Sequence, residues 1–87
     1  MEKSVANGIA LYNDDKFEEA YEMLYPFGAF QRNAEAQYYL GLMCHDGEGV
    51  EKDIEQAAKW WTMARREGHR DAAYALSEIQ ISTKNLF

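Results

Sequence analysis

Cys44, His45 and His69 are the side chains of this 87-residue sequence whose types could hold a metal or attack an electrophile. Cys44 and His45 are adjacent, and neighbouring positions on a helix diverge by about 100°, so they do not readily chelate one ion. His69 lies beyond a further helix. Cys44 also falls on an apolar stripe, where the thiolate needed for nucleophilic attack is disfavoured. The sequence therefore places Cys44 in the core as a small hydrophobe and both histidines at the surface. The loop from Asp46 to Asp53 offers carboxylates and glycines, Gly47 and Gly49, yet lacks the Asp-x-Asp-x-Asp-Gly order of a calcium loop. No lysine follows the glycines as a phosphate cradle requires. It reads as turn chemistry plus a helix cap. Trp60-Trp61 is a candidate stacking pair, but adjacent helical residues face different ways. Trp61 continues a core stripe and Trp60 is expected across a seam between packed units. No cofactor, metal or catalytic residue follows, and an enzyme or metalloprotein is the remote alternative.

Composition narrows the function classes further. Apolar residues are 47% of the chain and aromatic ones 14%, which supports a folded core over a disordered segment. Nine basic against fifteen acidic residues give a net charge of −6, which opposes binding to nucleic-acid phosphates. A single cysteine excludes an internal disulfide framework. The first residues contain no signal-peptide core, and no apolar run nears the roughly 18 residues of a membrane helix. A cytoplasmic protein with Cys44 reduced, not bound to membranes, is the expectation.

The elements that would position these residues are helical. Val5, Ala6, Ile9 and Tyr12 recur at spacings of three and four in a first helix from about Glu2 to Asn13. Asn13-Asp14-Asp15 breaks it, and Asp15 with Glu18 reads as a capping box for a second helix. Phe17, Ala20, Tyr21 and Leu24 form its stripe, and Pro26 to Gly28 are expected to end it. A third helix starts near Asn33 or Ala34 and turns Ala36, Tyr39, Leu40 and Met43 inward. Asp53 with Gln56 caps a fourth, lined by Ile54, Ala57, Ala58, Trp61 and Ala64. Arg65 and Arg66 suit its C-terminal dipole, and Gly68 stops it. A fifth runs from about Asp71 to Ile81, and 82–87 is a tail. No strand candidate appears, so the class is all-α.

The chain also repeats itself. Ala36-Gln37-Tyr38-Tyr39-Leu40-Gly41 returns as Ala72-Ala73-Tyr74-Ala75-Leu76-Ser77, 36 residues on. Gly8, Leu11, Phe17 and Ala20 play the parts of Gly41, Cys44, Ile54 and Ala57 in an earlier, shorter pair. Small residues at Ala36, Gly41, Ala57 and Ala64 permit close helix packing. Helix pairs recurring at this interval form an α-solenoid of antiparallel helix pairs, here a single domain of two and a half repeats. Its units run about 2–30, 33–68 and 69–81.

The run Ala36–Gly41, with Asp46-Gly47-Glu48-Gly49-Val50, Asp53, Ala57, Trp60-Trp61, Ala64 and Gly68, resembles a Sel1-like repeat. The resemblance is full over about 34–68 and partial over 69–81. Residues 4–30 look more like the related tetratricopeptide repeat. Cys44 stands where the family usually has tyrosine, and Met63 and Arg65 replace its lysine and alanine. The resemblance implies a right-handed superhelix that binds other proteins and carries no catalytic residue over.

In such arrays the first helix of each pair lines the concave face. The residues expected there, pointing off the packing stripe, are Ile9 and Tyr12 (with Val5), then Glu35, Tyr38, Leu42 and His45, then Asp71, Tyr74 and Glu78. Tyrosines supply contact area at low entropic cost, and carboxylates steer a basic partner. Two roles remain open for such a protein-binding module. It is an adaptor, or a stoichiometric inhibitor such as a bacterial immunity protein that plugs a basic toxin. Charge is uneven: acidic residues dominate Glu2 to Glu22, and basic ones Lys59 to Arg70. Leu76, Ile79, Ile81, Leu86 and Phe87 on the last helix and tail fold back as a cap or meet a second copy of the chain.

Overall fold

The computed structural model describes residues 2–84, with side chains as far as Ile79. Five helices follow one another: α1 Val5–Asn13, α2 Phe17–Phe30, α3 Ala34–Asp46, α4 Ile54–Arg66 and α5 Arg70–Lys84. No strand occurs among the described residues. The class read from the sequence is the class observed.

Side-chain acceptors start four of the five helices by satisfying backbone N–H groups that have no partner in the first turn. Ser4 Oγ accepts from the Asn7 N–H at 3.0 Å, Asn33 Oδ1 from Ala36 at 2.9 Å, and Asp53 Oδ1 from Gln56 at 3.0 Å. His69 Nδ1 does the same for Ala72 at 3.1 Å. The Ser4 cap begins α1 at Val5, three residues later than the periodicity suggests. The capping box at Asp53 is one-sided, because the Asp53 N–H donates to the Cys44 carbonyl at 2.8 Å.

Two expectations for α2 are corrected. Asp15 does not cap it; α2 begins after Lys16 with no side-chain cap. Asp15 instead takes a left-handed conformation, φ 61°, and the Lys16 N–H reaches back to the Leu11 carbonyl at 2.9 Å, closing α1. Nor does Pro26 end the helix, which runs on to Phe30. The missing Pro26 N–H frees only the Glu22 carbonyl, and both residues are exposed, so water can satisfy it. Beyond the proline, buried Gly28 lies against Leu40, and its carbonyl accepts from Gln37 Nε2 at 3.0 Å. Packing holds the extra turn that local propensity would release.

The other chain reversals share the device that closes α1. Arg32, Gly47 and Gly68 sit at φ 52°, 71° and 91° after α2, α3 and α4. The Glu48 N–H donates to the Met43 carbonyl at 2.9 Å, and the His69 N–H to that of Ala64 at 3.0 Å. At the far end α5 continues to Lys84, past the Ile81 expected from sequence. Leu86 and Phe87, and the cap or dimer contact read for them, lie outside the described residues.

Each helix packs on the next along the chain, α1 on α2 through to α4 on α5, in a body of 46 × 25 × 18 Å. The core is a seam, with Leu11, Ala20, Leu24, Ala36, Leu40, Met43, Ala57, Trp60, Trp61, Ala64, Ala72 and Leu76 buried along it. Its register is set by glycines. A Cβ at Gly8 would come 2.6 Å from Leu24 Cδ2, and one at Gly41 would overlap the Trp61 indole. Leu24 and Trp61 occupy equivalent places in their helix pairs, so one contact is made twice with different partners.

Gly41→Ala is expected to destabilise the chain by about 1–3 kcal/mol through overpacking, because a rigid indole cannot move aside. Gly8→Ala should cost less, since the Leu24 isobutyl group can change rotamer. Urea unfolding of the two variants against the parent chain measures both.

Candidate functional site

α3 and α5 run side by side because the repeat places equivalent first helices next to one another. A groove of about 500 Å³ lies between them. Tyr38, Leu42, His45 and Asp46 line it from α3, and Asp71, Tyr74, Ala75, Glu78 and Ile79 from α5. Trp61 of α4 reaches it from below. Six of the nine residues read from the sequence as partner-facing therefore meet in one cavity: Tyr38, Leu42, His45, Asp71, Tyr74 and Glu78. The sequence reading missed Asp46, Ala75, Ile79 and Trp61 as lining residues. Ala75 and Ile79 follow Asp71 at successive spacings of four, so helical geometry was signal enough for both.

The other three residues are placed elsewhere. Glu35 does not line the groove; its Oε1 accepts from His69 Nε2 at 2.8 Å, tying α3 to the start of α5. Tyr12 turns into the seam, edge-on to Phe17 at 5.4 Å and to Tyr39 at 5.1 Å, with its hydroxyl 3.4 Å from Glu48 Oε1. Ile9 is partly buried against the core.

Three contacts hold the groove's shape. The Trp61 indole N–H donates to the Tyr38 carbonyl at 3.1 Å, fixing α4 beneath α3. His69 stacks on Tyr38 with ring centroids 4.7 Å apart. The same imidazole accepts at Nδ1 from α5 and must therefore donate from Nε2 to Glu35, which fixes its tautomer. His69 is thus a structural joint and not the free surface imidazole read from sequence; only 15% of its side chain is exposed.

The electrostatics are one-sided. Asp46, Asp71 and Glu78 bring three carboxylates to the groove, and among the described residues no lysine or arginine lines it. His45 Nδ1 lies 2.8 Å from Asp46 Oδ1. Burial and then the Asp71 carboxylate hold the Tyr38 phenol above its ordinary range. A hydrogen bond to Glu78 does the same for Tyr74, which is 68% exposed.

The residues considered for chemistry are dispersed. Cys44 is buried, and burial pushes its thiol up and away from the nucleophilic form. His45 faces the groove and His69 the Tyr38 ring. Among the described residues no three His, Cys, Asp or Glu side chains are placed to hold a metal ion. No described helix is long and apolar enough to cross a membrane. Trp60 packs edge-on to Tyr25 of α2 at 5.8 Å, across the seam where the sequence puts it.

The family comparison falls on this region: the model of the Sel1 repeat matches residues 34–69. The chain carries a Sel1 repeat. No curated protein and no solved structure matches it. The Sel1 unit spans α3 and α4 and stops at His69, so it supplies one wall of the groove, the Trp61 beneath it and the histidine joint. The second wall is α5. Sel1 repeats are helical protein-interaction modules.

Two predictions follow from these contacts. His69→Ala removes a cap, a stack and the bond to Glu35, and should cost about 1–2 kcal/mol in urea unfolding, with His69→Asn recovering the capping share. The second concerns alkali. Burial and then Glu48 push Tyr12 to about 12, and burial and then Cys44 push Tyr21 to about 12. A raised phenol favours the folded state while it stays protonated, so stability should hold below pH about 10 and fall as pH rises towards 12. Tyr12→Phe and Tyr21→Phe should each flatten that fall, measured as the urea midpoint between pH 8 and 11.5.

Proposed function

We propose that this Sel1-repeat chain is a non-catalytic binding protein that holds a partner protein in the groove between α3 and α5, and that the partner presents a basic surface there. One observation carries the reading. Tyrosines and carboxylates from two helices, far apart in sequence, line one open cavity, and among the described residues no lysine or arginine joins them. Aromatic side chains supply contact area, and carboxylates give steering and orientation. A standard interface of roughly 800 Å² per partner would extend beyond the groove onto the flanking helices.

The net charge of −6 on so short a chain supports a second version of the same reading. A small acidic protein of this kind can act as a stoichiometric inhibitor, in the manner of a bacterial immunity protein, by covering the basic cleft of a toxin. Adaptor and inhibitor use the same surface and differ in what happens to the partner's activity.

Calorimetric titration with a purified partner tests the surface. Affinity should fall at least tenfold between about 50 and 500 mM salt. The Asp71→Asn and Tyr74→Ala variants should each weaken binding by about 1–2 kcal/mol. Variants that bind like the parent chain would remove the groove from the interface.

A further inference from the structure

We propose that the groove seats the guanidinium group of an arginine side chain from the partner, stacked on Tyr74 and paired with the carboxylate of Asp71. The inference rests on the binding reading above and adds the chemical group that is recognised.

The argument begins with what a side chain entering the groove would meet. Leu42, Ala75 and Ile79 offer apolar surface for a methylene stem, as long cationic side chains require when they lay their stems on a protein surface. Past the stem lie three carboxylates and, among the described residues, no positive side chain of the groove's own apart from His45 when protonated. A negatively charged or neutral polar tip finds no complement there. A cation does.

The choice between arginine and lysine turns on the rings. Tyr74 is 68% exposed on the α5 wall and lines the groove between Asp71 and Glu78, so an accessible ring stands among carboxylates. Tyr38 lines the opposite wall, where His69 stacking at 4.7 Å holds its ring in place. A guanidinium is planar, weakly hydrated, and able to stack on an aromatic face while its edge donates two parallel hydrogen bonds to a carboxylate. An ammonium is strongly hydrated and gains less from a ring in an open, wet groove. Rings and carboxylates together thus favour the flat cation. Asp71 lines the groove one helical turn before Tyr74 on α5, so carboxylate and ring are neighbours on the same wall.

The test uses the whole chain and three blocked glycine-rich hexapeptides. One carries two arginines, one two lysines, and one two citrullines, which keep the planar shape without the charge. Amide chemical shifts in ¹H–¹⁵N spectra report both affinity and location. The arginine peptide should shift residues 38–46 and 71–79 saturably, bind about threefold tighter than the lysine peptide, and outbind the citrulline peptide by at least about tenfold. Tyr74→Ala should abolish the preference for arginine over lysine, whereas Asp71→Asn should weaken both cationic peptides. The exposure of Tyr74 makes its variant safe for folding, and unchanged shifts elsewhere verify that. Equal binding of arginine and lysine peptides within the groove would overturn the guanidinium assignment and leave the binding reading standing. Shifts confined to other helices would overturn both. Absence of binding by any peptide at millimolar concentration would overturn the guanidinium assignment alone, since a larger partner could still dock.

Discussion

The close approach of α3 to α4 at Gly41 governs everything above it. With no side chain at Gly41, the Trp61 indole fills the space beside the α3 backbone and donates to the Tyr38 carbonyl. That carbonyl already serves the helix and uses its second lone pair for the indole. One hydrogen bond thus fixes two helices and places a buried indole beneath the groove. Had a side chain stood at position 41, α4 would sit farther out and the groove would lose its base. The equivalent contact in the first helix pair, Gly8 against Leu24, gives the same spacing without a hydrogen bond.

The second wall depends on a different joint. α5 belongs to a repeat whose second helix does not follow within the described residues, so it relies on α4 and on the start of α3. His69 answers that need with three contacts: it caps α5, bonds Glu35 and stacks on Tyr38. Asn33 caps α3 at the position one repeat earlier and makes only the cap. An imidazole has two nitrogens and a ring face, and each has a different partner here, which an asparagine cannot match. This explains how two helices that barely meet elsewhere keep a fixed separation.

The distribution of what could be read beforehand follows from the range of the forces involved. Helix stripes, the start of α3 near Asn33, the cap Asp53, the glycine turn after α3 and the stop Gly68 are local signals, and all were legible. So was the seam of small residues, because Ala36, Ala57 and Ala64 recur with the repeat. Asp15 and Arg32 escaped because left-handed conformations at residues other than glycine are uncommon, and nothing local marks them. The passage of α2 through Pro26 escaped for a tertiary reason: Gly28 and Gln37 hold the last turn from another helix. Gln37 itself is 1% exposed, and the Gly28 carbonyl accepts from its buried amide. Six groove residues were legible because a helix turns any residue off its packing stripe towards solvent. Tyr12 met the same criterion and yet packs inward, since Phe17, Tyr39 and Glu48 surround it.

That difference between Tyr12 and Tyr38 explains why the groove lies where it does. α1 and α3 are also first helices of adjacent pairs, but they touch, and the Tyr12 ring meets Tyr39 and fills the space between them. Between α3 and α5 the residue in the register of Tyr12 is His45, which lines the groove without closing it, while Tyr38 is drawn onto His69 and Tyr74 is left out in solvent. An array with a tyrosine packed like Tyr12 at each such position would leave a closed surface. The groove exists where the regularity lapses, at the histidine that replaces asparagine as a cap. The groove in this short solenoid is therefore a local departure from the repeat, made possible by the packing that the repeat enforces elsewhere. Asp46, Asp71 and Glu78, all at its lining, give that opening its negative sign.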